Sequence, residues 1–146
     1  SMIDLLEISQ ALSAERDDPD YLKPFFVIDG TQSIGVVPFD VEVLQPDFVA
    51  CSVHKWLCAP YGMSLVYLHP SHHNSWQPLD HHERQRLGSE TAAWDEVGVM
   101  TEEGYPSTFR PGARRLDAGG RPNPVLVDSL KVSLELILKW SPERLE

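Results

Sequence analysis

Between Phe26 and Gly62 the chain reads FVIDGTQSIGVVPFDVEVLQPDFVACSVHKWLCAPYG, and this stretch limits the possible folds more than any other. Two apolar runs of strand length, Phe25–Ile28 and Phe48–Val53, each give way to polar residues. Asp29 and Gln32 close the first, and Ser52, His54 and Lys55 close the second. Short continuous apolar runs suit strands buried in a parallel sheet better than strands with one wet face. In open α/β sheets, ligands bind outside the carboxyl ends of the strands, so two such ends with polar residues point to one shared site. A third run, SLVYL at 64–68, lies between Gly62 and Pro70 and reads as a further strand. Runs of this kind separated by crossovers favour an α/β fold with a mostly parallel sheet flanked by helices.

The flanking segments fit that scheme. Ile3–Leu12 has helical spacing, and the polar run SAERDDPD at 13–20 reads as the loop that ends it. Gln32–Val37 suits one helical turn or a loop, stopped by Pro38. Val125–Trp140 is the strongest helix signal, with Pro124 near its start and Ser141–Pro142 at its end. Its apolar residues cover more than one face, which predicts a well-buried helix. From Pro70 to Gly112 the chain is rich in His, Trp, Glu and Gly without lasting periodicity, and a loop of that length is usually functional or packs on something else. Residues 70–112 therefore read as an irregular insert-like segment. Ser1 before Met2 reads as a remnant of tag removal, leaving residues 1–2 outside the fold.

Bulk properties exclude several function classes. A chain of 146 residues supports one domain with a modest core. The formal net charge of −10 argues against nucleic acid or an anionic membrane surface as partner. No apolar run approaches the ~20 residues needed to span a bilayer. Two cysteines, Cys51 and Cys58, give no disulfide framework and fit a reducing, cytoplasmic setting.

The chemistry concentrates at Lys55. A lysine after an apolar strand is usually a solvated surface residue, but a desolvated lysine loses its proton readily and attacks carbonyls. Ser52 and His54 beside it can donate to a phosphate, and the combination suits a cofactor held as a Schiff base. Asp29 is either a turn cap or the partner of a protonated pyridine nitrogen, and Gln32 either a solvated turn residue or a donor to a phenolate oxygen. His72–His73 and His81–His82 read as ordinary loop residues, since adjacent histidines rarely reach one metal ion. Cys51 reads as a small core residue, whereas Cys58 follows the lysine closely without an evident basic partner. Glu90, Asp95, Glu96, Glu102 and Glu103 read as a solvated acidic stretch, and no Walker or GxGxxG loop is present.

Taken together, Asp29-Gly30-Thr31-Gln32 with Gly35, then Ser52-Val53-His54-Lys55, resemble the class V aminotransferase family of pyridoxal-phosphate enzymes. That is the fold type I group that includes cysteine desulfurases and kynureninases. LDAGGRPNPV at 116–125 resembles the family's turn before a long helix, so the resemblance spans about residues 3 to 140. It implies part of a large cofactor-binding domain over 3–140, with residues 141–146 starting a small domain or linker. It also implies that Lys55 carries pyridoxal 5'-phosphate and moves the proton at the substrate's α-carbon. Asp29 would hold the pyridine nitrogen, Gln32 the ring oxygen, and Ser52 and His54 the phosphate. The substrate would be an amino acid, the full-length protein a homodimer, and the reaction a transfer or a lyase step of the desulfurase, selenocysteine lyase or kynureninase kind. The pattern departs at Ala59, where glycine is common, and at Gly120, where a threonine often reaches a neighbouring subunit's phosphate. Family members are also much longer, so the resemblance implies a fragment that is weakly active or inactive alone. A degenerate homologue kept as an interaction module is the non-enzymatic alternative.

Overall fold

The computed structural model describes residues 3–16, 24–87, 108–117 and 123–141. They fall into two compact units, one of residues 1–69 with 123–146 and the other of residues 70–122.

The first unit holds a three-stranded sheet, β1 (Val27–Asp29), β2 (Phe48–Ser52) and β3 (Ser64–Leu68), in that order. β1 pairs parallel to β2 with Val27 opposite Phe48 and Asp29 opposite Ala50. β3 runs antiparallel to β2, with Ser64 opposite Ser52, so the sheet is mixed instead of mostly parallel. The reversal follows from the short link between β2 and β3, which leaves no length for a crossover helix. Asp47 ties the sheet together at its other end. Its buried carboxylate accepts from Phe26 N at 2.7 Å, and its carbonyl accepts from His69 N at 2.9 Å.

Three helices accompany the sheet: α1 (Leu5–Arg16), α2 (Val41–Leu44) and α3 (Pro124–Trp140). Asp4 caps α1, accepting from the Leu6 and Glu7 amides at 3.0 Å each. The expected loop at 13–20 starts later than the sequence suggested: Ser13 to Arg16 continue the helix, because Ala, Glu and Arg favour it. Buried Ser9 donates to the Leu44 carbonyl at 2.7 Å and fastens α1 to α2. The sequence reading missed α2, a four-residue helix capped by Asp40 and ended by Gln45 at φ 48° before Pro46.

One face of the sheet is packed. Phe26, Ile28 and Val49 form a cluster with Leu5 and Leu12 of α1. Cys51, Val53, Leu57 and Ala59 form another with Leu130 and Ile137 of α3. The opposite face is open, with Val27 59% and Val66 45% exposed, so these strands are not buried on both sides as their apolar runs suggested. α3 is likewise less buried than expected. Only Leu130 and Ile137 are buried, while Val125, Val132, Leu138 and Trp140 point away from the core. A helix resting one stripe on a three-stranded sheet cannot cover apolar residues on its other sides.

In the second unit the described residues form short 3₁₀ turns at Pro70–His72, Glu83–Gln85 and Gly112–Leu116, and an isolated bridge joins Arg86 to Phe109. Buried Gln85 organises it, donating to Asp80 Oδ1 and to the Asp117 carbonyl at 2.6 Å each while accepting from His82 N at 2.9 Å. Buried Arg115 donates to the carbonyls of Arg110 and Trp76, and the Arg86 guanidinium lies 3.8 Å from the Phe109 ring centroid. The acidic stretch at 90–103 and the Gly119–Gly120 turn lie outside the described residues.

Candidate functional site

The register of β1 against β2 brings two of the predicted residues to one end of the sheet. Asp29 pairs with Ala50, so Asp29 and Ser52 both stand on the open face, at or just past the carboxyl ends of neighbouring parallel strands. Thr31, which the sequence reading passed over, connects them. Its amide donates to Asp29 Oδ1 at 3.0 Å, and its hydroxyl accepts from Ser52 N at 3.0 Å. Hydrogen bonds from the Thr31 hydroxyl and amide hold the Asp29 carboxyl below its ordinary value of 3.8, against a smaller opposing effect of burial. Asp29 is thus an anion fixed at the strand end. A hydroxyl two residues after an acid was the signal, since Asp-x-Thr commonly makes such a turn.

Beyond Ser52 the chain makes a tight turn that carries His54 and Lys55. The Lys55 carbonyl accepts from Cys58 N at 3.0 Å, and Ala59 N donates to the Val53 carbonyl at 3.1 Å, closing the turn. Buried Val53 and Leu57 anchor it, while Lys55 points outward and is exposed. Its surroundings among the described residues are therefore open to solvent. His54 is half-buried and stacks on Tyr61, ring centroids 4.1 Å and planes 18° apart. Gln32 is exposed in the loop after β1.

That loop sits directly against the lysine turn at Gly35. A Cβ at Gly35, whose φ is +103°, would lie 2.9 Å from the Trp56 carbonyl oxygen and 3.0 Å from Leu57 Cδ2. The acid-bearing and lysine-bearing loops therefore meet backbone to backbone, an approach open only to glycine.

The remaining candidates fall elsewhere. Cys51 is buried in the core, where burial first and the Asp29 charge second push its thiol upward. Cys58 is exposed with φ 52°, its sulfur 3.7 Å from the Trp56 carbonyl. His72 stacks on Trp76 and His81 meets Phe109 edge-on. Among the described residues no group of three or more His, Cys, Asp or Glu is placed to hold a metal ion. No helix among them is long and apolar enough to cross a membrane.

An ionised acid at one strand end, and a lysine turn following the neighbouring parallel strand, are in keeping with the resemblance to fold type I pyridoxal-phosphate proteins. The comparisons agree. The family model for class-V aminotransferases matches residues 20–114, and the chain belongs to that family. It is 33% identical over 97 residues to isopenicillin N epimerase of Streptomyces clavuligerus, covering 64% of this chain and 22% of that protein. It is 35% identical over 53 residues to hercynylcysteine sulfoxide lyase of Schizosaccharomyces pombe (strain 972 / ATCC 24843), covering 36% and 14% respectively. Among solved structures it resembles a mutant of C-DES with glycine covalently linked to the PLP cofactor, with a TM-score of 0.76 at 21% identity. That match covers 98% of this chain and 33% of the other. The chain thus spans a quarter or less of these two curated relatives and a third of the structural one.

Proposed function

We propose that this chain is the lysine-bearing part of a pyridoxal-phosphate enzyme that acts on an amino acid. The observation that carries this reading is the pairing of an anionic Asp29 with the Ser52–His54–Lys55 turn at one end of the sheet. The donor set fits the cofactor: a carboxylate for a cationic ring nitrogen, a hydroxyl and an imidazole for phosphate, and one primary amine for an aldehyde. When bound, pyridoxal phosphate supplies an electron-withdrawing ring that stabilises negative charge at the substrate's α-carbon.

The chain's own groups then have separate tasks. Asp29, kept ionised by Thr31, would hold the ring nitrogen protonated. Gln32 would donate to the ring oxygen, while Ser52 and His54 would hold the phosphate. Lys55 Nζ would tether the aldehyde and, once released by the substrate's amino group, take the proton from the α-carbon and return it. A lyase and an epimerase share the need for a base that removes a proton from carbon, and Lys55 would take that role. Exposure of Lys55 and of the sheet face beside it supports an active site completed by further protein. By its resemblance to the family the full-length molecule would be a homodimer, and its two cysteines fit a cytoplasmic setting. The alternative, an inactive homologue serving as an interaction module, gives Asp29 and Lys55 no joint task.

An absorbance scan with added pyridoxal phosphate tests the proposal. A yellow imine band in the full-length protein that is lost in Lys55→Ala supports it. A protein that stays colourless, or a band unchanged by Lys55→Ala, refutes it.

A further inference from the structure

Tyr61 lies in the turn that leads from Lys55 into β3, and it is 76% exposed. Exposed tyrosines usually keep their rings in water, yet this ring covers His54 face to face at 4.1 Å. The backbone makes that contact. Cys58 at φ 52° and Gly62 at φ +94° reverse the chain. Hydrogen bonds from Ala59 N to Val53 O and from Val53 N to Met63 O close the loop, carrying Tyr61 back over a residue seven positions earlier.

A half-buried imidazole beside a solvent-facing lysine has several accessible ring orientations. Stacking on one face removes most of them and leaves the nitrogen-bearing edge outside the stack. We infer that Tyr61 is a positioning residue for His54, holding the imidazole so that a ring nitrogen is available to the cofactor's phosphate. This inference rests on the proposed function. Tyr61 itself has no polar task in it, because its face and not its hydroxyl makes the contact.

A ring that only stabilises the turn would affect every ligand of the site alike, whereas a ring that aims His54 acts on phosphate alone. The test therefore compares pyridoxal phosphate with pyridoxal, which lacks the phosphate, in the full-length protein. The dissociation constants of both ligands are measured for wild type, Tyr61→Leu, Tyr61→Phe, His54→Ala and the Tyr61→Leu/His54→Ala pair. A ring stack of this kind corresponds to roughly a three- to tenfold change in binding. Tyr61→Leu is expected to weaken pyridoxal phosphate by that factor and leave pyridoxal unchanged. Tyr61→Phe retains wild-type affinity, and Tyr61→Leu has no added effect once His54 is alanine. Equal weakening of both ligands, or an undiminished effect in the His54→Ala background, overturns the positioning role. Borohydride trapping of wild type separates the two levels: a Lys55 adduct with an unchanged ligand ratio sinks only this inference, and no adduct sinks the proposed function with it.

Discussion

Gly35→Ala tests whether the two loops of the site are locked together by contact at a single glycine. Alanine at φ +103° takes up a backbone conformation that L-residues rarely adopt, which costs about 1–3 kcal/mol. The new Cβ would also lie 2.9 Å from the Trp56 carbonyl oxygen, and a backbone atom cannot rotate out of the way. Moving the lysine turn to relieve that overlap adds roughly 1–3 kcal/mol, as other overpacking changes do. Gly62→Ala is the control. Its φ is +94°, so the strain is similar, but among the described residues its Cβ would meet only Leu126 Cδ1 at 3.6 Å, an ordinary contact. Urea unfolding of both variants separates strain from overlap, with Gly35→Ala expected to be less stable than Gly62→Ala by at least about 1 kcal/mol. Thermal midpoints should differ by roughly 2–4 °C per kcal/mol for a chain of this size. Equal losses in the two variants, within about 0.5 kcal/mol, would show that the loops are not held against each other at Gly35.

Three further perturbations address the site and its support. The Asp29 carboxyl is depressed when folded, so its ionisation stabilises the fold above its ordinary value of 3.8, and that contribution is lost as pH falls through the folded value. Thr31→Val should return the Asp29 carboxyl toward 3.8 in a carbon-detected NMR titration and flatten this acid dependence; an unmoved midpoint would contradict the Thr31 assignment. Asp47→Ala strips the buried Phe26 amide of its acceptor and should destabilise the protein by about 1–3 kcal/mol in urea unfolding, with a neutral result refuting its role as the sheet's clasp. One thiol, Cys58, should react with Ellman's reagent in the native protein and two after denaturation, because burial shields Cys51 and raises its thiol; two fast native thiols would contradict the core placement.

The strands were legible because their apolar runs are short and sharply ended: Ser64–Leu68 occurs as read, and Phe48–Ser52 differs from the expected strand by one residue. The α3 boundary was legible from Asn123 and Pro124, which cap and start a helix by local chemistry. Burial was not. Apolar residues such as Val27, Val66 and Leu138 carry no mark of which face the described residues leave open. The direction of β3 was equally hidden, since it depends on the link before it and not on its own residues. Within the candidate site, residue types singled out Asp29, Ser52, His54 and Lys55, while the bond from Ser52 N to the Thr31 hydroxyl and the stack of Tyr61 on His54 required coordinates. Such contacts join residues 21 and seven positions apart, which no local spacing rule covers.

The central claim is that Lys55, and no other lysine, is the amine that holds the cofactor. Incubation of the full-length protein with pyridoxal phosphate, reduction with borohydride and peptide mass mapping would locate the adduct. A single modified lysine is expected at Lys55, with Lys23, Lys131 and Lys139 unmodified. An adduct on any other lysine of the full-length protein, or one spread over several, would contradict it.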